Sequence, residues 1–138
     1  MHKVVVDRTH ALVCMTADGF FGEADVEAAA ADLHAAIRSL GDRAGRHVTL
    51  YDLAALKVAP TAVLAKFAHY FSDPSFAPLW ACRVALVSTS PLVQLQMERV
   101  CAAKPNIRGF TGRREAIAWL LADHARVRVT SQPTVASA

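Results

Sequence analysis

The chain has 138 residues, 54% of them hydrophobic and 20% charged, which fits one compact domain with a sizeable core. Fifteen basic against 12 acidic residues leave a net charge of +3, and the basic ones are scattered from Lys3 to Arg128. That distribution lacks the clustered cationic face that nucleic acid requires. No apolar stretch approaches the roughly 20 residues that span a bilayer, and Asp7 and Arg8 stand where a signal peptide has its apolar core. The expectation is a cytoplasmic protein with neither nucleic-acid binding nor membrane insertion.

In chain order, "HKVVVD" (2 to 7) and "ALVCMT" (11 to 16) are short and apolar, and the "RTH" between them is short enough for a hairpin. An antiparallel pair is expected. After a Gly19 to Gly22 loop, Glu23 and Asp25 put negative charge in a first helical turn. Val26, Ala30, Leu33, Ile37 and Leu40 then recur at helical spacing until Gly41 supplies a stop. "HVTLYD" (47 to 52) reads as a third strand that ends at Asp52 and gives way to a loop. The next helix restarts after Pro60, with Val63, Leu64, Phe67, Ala68 and Phe71 as its stripe, and "SDPSFAPLW" ends it.

"CRVALVS" (82 to 88) is nearly continuous in apolar character, the pattern of a central strand covered on both faces. Ser90 followed by Pro91 is a helix-start signal, because Ser accepts from an exposed N–H and Pro occupies a position that needs no donor. Val93, Met97, Val100 and Cys101 share one face of that helix. "NIRGFT" (106 to 111) is the last strand, and Thr111 is placed to cap a helix on which Ile117, Leu120, Leu121 and His124 lie together. Residues 125–138 turn small and polar and read as a tail, either an edge strand or disordered. The three cysteines, Cys14, Cys82 and Cys101, lie far apart, as reduced and partly buried thiols do.

The element order predicts an α/β domain over residues 1–124: a mixed sheet of about five strands, an N-terminal antiparallel hairpin and then parallel β-α units, with about four helices. At this level "DGFFGEADVEAAAADL", "LYDL", "RVALVSTS" and "RGFTGRREAIAWLL" resemble the SpoIIAA-like branch of the STAS fold, the family of sulfate transporter cytoplasmic domains and anti-sigma factor antagonists, akin to CRAL-TRIO lipid-binding domains. The resemblance implies a non-enzymatic regulatory or protein-interaction module. It also implies an alternative, a carrier that holds a small lipid-like ligand between the sheet and a helix.

In the antagonists of that family, a Ser at the helix start after the third strand is phosphorylated. Here Asp52 matches the strand end, but the helix start reads Ala59, Pro60, Thr61, Ala62, without the Ser pair and the Gly. Thr61 is the one phosphate acceptor at that place, and a helix cap beside Pro60 is its preferred reading.

Parallel α/β sheets gather ligands beyond the carboxyl ends of their strands, where helix N–H groups face outward. Ser88, Thr89 and Ser90, with Thr111, Arg113 and Arg114, are therefore the candidates for holding an anionic group. Helix capping explains Ser90 and Thr111 equally well. No G-x-S-x-G elbow, Walker loop or G-x-G-x-x-G is present, so no catalytic residue is assigned and no cofactor is expected. The six histidines, His2, His10, His34, His47, His69 and His124, have no metal-ligand spacing and read mostly as surface or helix-end residues. The partners left open are a protein, a small apolar or anionic ligand, and a second copy in a homodimer.

Overall fold

The computed structural model describes residues 1–58 and 60–131, without the side chains at 57, 58, 103 and 123–131. Five strands and four helices follow in the order β1 (His2–Asp7), β2 (Leu12–Phe20), α1 (Glu23–Arg38), β3 (Val48–Val58), α2 (Thr61–Ser72), β4 (Arg83–Val87), α3 (Pro91–Ala103), β5 (Ile107–Phe110) and α4 (Arg113–Ser131). β1 and β2 are antiparallel, with Val5 opposite Cys14. The remaining neighbours are parallel, and the sheet order is β1-β2-β3-β4-β5.

This order fixes the layers. Each helical crossover after β2 steps to the next strand in the same direction, and right-handed crossovers place α1, α2 and α3 on one face. The opposite face is left to α4. Strand alternation divides the core accordingly: Val13, Met15, Tyr51, Leu53, Val84 and Leu86 pack under the first three helices. Leu12, Cys14, Leu50, Ala85 and Val87 meet Ala116 and Leu120 of α4.

The α1 stripe is as expected, with Val26, Ala30, Leu33 and Ile37 buried. Its first turn is closed by Asp25, whose carboxylate accepts from the Gly22 N–H at 2.7 Å. Gly41, at φ +62°, takes the left-handed conformation just past its end. Ser90 caps α3 as expected, its Oγ accepting from the Val93 N–H at 3.4 Å.

Three boundaries differ from expectation. β2 and β3 run past Thr16 and Asp52 as a two-stranded extension, pairing Asp18 with Ala55 and Phe20 with Val58. The stretch after Asp52 is therefore strand, not loop, and Gly19 (φ +72°) sits at one of the register shifts that the extension contains. Helix α4 starts at Arg113, so Gly112 and not Thr111 occupies the capping position, and the Glu115 carboxylate lies against that glycine. Residues 125–131, expected as a tail or edge strand, continue α4 to Ser131. No Gly or Pro occurs between Gly112 and Pro133 to stop the helix at His124. Ala59, residues 132–138 and the His124 side chain lie outside the described residues.

Candidate functional site

The rim beyond the strand ends brings β3 and α4 together. Arg113 donates through Nη1 to Asp52 Oδ2 at 2.9 Å and through Nη2 to Cys14 Sγ at 3.1 Å. Asp52 also accepts from the Ala54 N–H at 3.1 Å, so its carboxylate closes a local turn as well as an ion pair. The guanidinium pKa is raised, first by the hydrogen bond to Asp52. Its charge is thus already balanced.

The other rim candidates do not converge on a common point. Ser88 is buried, and its Oγ accepts from the Ser90 N–H at 3.1 Å, while its carbonyl accepts from Gln94 Nε2 at 2.8 Å. The Ser90 hydroxyl is engaged as the α3 cap. Thr89, Thr111 and Arg114 are exposed. Thr61 is the exposed first residue of α2. A carboxylate at the centre of the rim opposes anion binding there.

A different feature lies between the sheet and the α1–α2 pair. The α2 backbone lies close to α1 and to the following 3-10 turn, Pro74–Leu79, and reaches the sheet through aromatic side chains. Phe67 and Phe71 meet the Tyr51 ring edge-on, with centroids at 5.1 and 5.7 Å. Rings bridging a gap pack less completely than interdigitated aliphatic chains, and a cavity of about 50 Å³ remains. Met15, Tyr51 and Leu53 form its floor, Ala29 and Leu33 its α1 wall, and Phe67 part of its α2 wall.

The polarity of this cavity is concentrated in three groups. Tyr51 is only 6% exposed and lines the space from the sheet side. Burial pushes its pKa well above the usual tyrosine value, so it remains a neutral phenol. His34 and Tyr70 also line the space. The His34 pKa is lowered, first by burial and then by the Arg38 charge, which keeps the imidazole neutral near pH 7. No Asp, Glu, Lys or Arg is in the wall among the described residues. Sequence periodicity had marked Leu33, Val63 and Phe67 as core, but nothing in it separates a core residue from a cavity wall.

A second site is a groove of about 550 Å³ between α3 and the β5 edge, with Met97, Cys101, Arg108 and Glu115 in its lining. The Met97 methyl lies over Gly109, where a Cβ would meet it at an ordinary contact distance of 3.6 Å.

The histidines and cysteines are distributed differently from expectation at two positions. His47, one of six histidines read mostly as surface or helix-end residues, is fully buried; its Nδ1 accepts from the Gly45 N–H at 3.1 Å and its Nε2 has no partner. Desolvation lowers its pKa to about 4. Cys82 is exposed, not enclosed in a central strand, whereas Cys14 is buried. None of the three is in a disulfide. Among the described residues no group of three His, Cys, Asp or Glu gathers to hold a metal ion. No described helix is long and apolar enough to cross a membrane.

No family model matches the chain, and no curated protein matches it. Among solved structures, it is similar to an uncharacterized protein of the DUF3478 family with a SpoIIAA-like fold from Shewanella loihica PV-4. The TM-score is 0.64 at 18% identity, over 86% of this chain and 93% of that one. With its five-stranded mixed sheet and its four helices, the chain has a SpoIIAA-like α/β fold.

Proposed function

We propose that this protein is a non-enzymatic binding module whose ligand is a small apolar molecule, held between the sheet and α1–α2. The apolar cavity under α2, with Tyr51, His34 and Tyr70 as the polar groups of its wall, carries the reading. Ligand sites are typically apolar hollows with a few convergent polar groups. At about 50 Å³ the space is well below the roughly 150 Å³ that admits benzene, so occupation requires α2 to move outward. The helix is suited to that motion: only Val63 and Phe71 are fully buried on it, and no side chain caps its start.

Benzene titrated at low millimolar concentration, followed by methyl shifts of Leu33, Leu53 and Val63, tests the reading. Shifts confined to these methyl groups support it, and shifts scattered over the surface, or none, refute it. A native mass spectrum of freshly purified protein adds an independent readout, an apolar adduct lost on denaturation.

A regulatory or protein-interaction role is the second reading. It is favoured by α3, which exposes Leu92 (61%) and Leu95 (54%) three residues apart on one side. Loss of a partner on Leu92→Ser with Leu95→Ser, with the benzene shifts unchanged, would separate this role from the first.

A further inference from the structure

We propose that the apolar molecule held under α2 carries one carboxylate, which pairs with Lys104 at the far end of a longer space along β3. This rests on the cavity reading above and adds the chemical class. Thr49, Tyr51 and Leu53 alternate onto one face of β3, and Leu53 and Thr49 stand about 13 Å apart along the strand. Tyr51 and Leu53 are the floor of the cavity under α2, while Tyr51 and Thr49 line a second cavity of about 50 Å³. The two spaces therefore lie end to end along one strand. Leu33, His34, Tyr70 and Phe71 belong to both walls.

The two ends differ in chemistry. Around Leu53 the wall is apolar, with Phe21, Val26, Leu56 and Val63, whereas the Thr49 end is lined by Trp80, Lys104 and Asn106. Lys104 is the single Asp, Glu, Lys or Arg in either lining among the described residues. Its ammonium stands 4.0 Å from the centre of the Trp80 ring, and that ring is fixed by its indole N–H, which donates to the Tyr70 carbonyl at 2.7 Å. Among the described residues no carboxylate pairs with Lys104. The cations Lys66 and Arg113, by contrast, are already paired with Glu27 and Asp52. Lys104 is half-buried, so a carboxylate that meets it gains a charge-assisted hydrogen bond and still keeps part of its hydration. An ammonium head would meet like charge there. One lysine balances one negative charge, which a phosphate monoester exceeds. A single carboxylate on an apolar chain fits both ends.

Octanoate, octanol and octylamine share one apolar chain and differ in the head that would meet Lys104. Each is titrated at neutral pH into wild type and Lys104→Met, which keeps an unbranched stem without the charge, with the Leu33 and Val63 methyl shifts as readout. Octanoate should bind wild type most tightly of the three. Lys104→Met should weaken octanoate roughly 3- to 10-fold, between an exposed ion pair and a charged hydrogen bond out of water, and leave octanol unchanged. In wild type alone, octanoate should move the Trp80 indole N–H resonance more than octanol does, with Trp119 on the other face of the sheet as control, which keeps the test valid if the variant folds poorly. Octanol or octylamine binding as tightly as octanoate, or an octanoate affinity indifferent to Lys104→Met, overturns the ligand class. Octanoate that shifts the methyl groups but not the Trp80 indole overturns it while the cavity stands as a site. If none of the three binds and benzene still shifts the methyl groups, the carboxylate ligand is refuted and the cavity reading survives. If benzene fails as well, the cavity reading itself fails.

Discussion

Arg113, the first residue of α4, lies 2.9 Å from Asp52 on β3 and so fixes the start of the single described helix that covers its face of the sheet. Consecutive right-handed crossovers leave that face to α4, and the pair sets where the helix begins its path over β3 and β4. The Asp52 side chain is 15% exposed and Arg113 48%, so water screens much of the attraction.

Because of that screening, the pair should contribute modestly. A double-mutant cycle with Asp52→Asn and Arg113→Ala, read by urea denaturation, should give a coupling of about 0.5–1 kcal/mol, smaller at high salt. A coupling near zero at low salt would mean that the pair does not position α4.

Leu33 is 6% exposed and forms part of both the α1 core face and the cavity wall. Leu33→Ala should destabilise the fold by about 2–5 kcal/mol through lost burial and enlarged empty space. The same change enlarges the site, so benzene should bind the variant more readily. A stability loss well under 1 kcal/mol would contradict the placement of this residue.

Thiol labelling should proceed in a definite order. Cys82 is exposed, Cys101 is half-buried, and Cys14 is buried with its Sγ accepting from Arg113. Desolvation raises the Cys82 pKa, and its thiol donates to the His47 carbonyl at 3.2 Å, so reaction is slower than for a fully solvated thiol but still first. Mass-resolved labelling without denaturant checks the order. Cys14 reacting before Cys82 would place α4 elsewhere.

The layers of the fold were legible because their periods are clean. Val26, Leu33 and Ile37 recur at helical spacing, and "RVALV" has the continuous apolar character of a doubly covered strand. The extension of β3 was not legible, since "LAALKV" has no strict alternation and its pairing with β2 is irregular. The end of α4 was misread because Val127 and Val129 alternate with arginines, a strand-like pattern that the absence of any helix stop overrides. At the rim, sequence put Asp52 and Arg113 at strand and helix ends on the same side of the sheet but did not show their ion pair, because the pairing spans 61 positions. The cavity left no sequence signal: Tyr51 reads as an ordinary strand residue, and the rings that meet it belong to α2.

His47 gives the strongest pH dependence to be expected. It is fully buried, with Nδ1 accepting from Gly45 and Nε2 unpartnered, an arrangement that suits a neutral ring carrying its proton on Nε2. Its pKa is about 4 in the folded state against 6.5 for a free imidazole. Between those values the unfolded chain takes up a proton that the folded chain refuses, so stability falls as pH drops from about 6.5 to about 4. Above that window the contribution is fully present, and below it the loss is complete, on the order of 3 kcal/mol. His34, also lowered by burial, adds a change of the same sign. In His47→Leu the Gly45 N–H loses its acceptor, which should destabilise the protein by about 1 kcal/mol at every pH. The slope between pH 6.5 and 4.5 should flatten markedly and keep only the His34 part. Urea denaturation of wild type and variant at half-unit pH intervals measures both slopes, and parallel curves would mean that His47 is not buried in its neutral form.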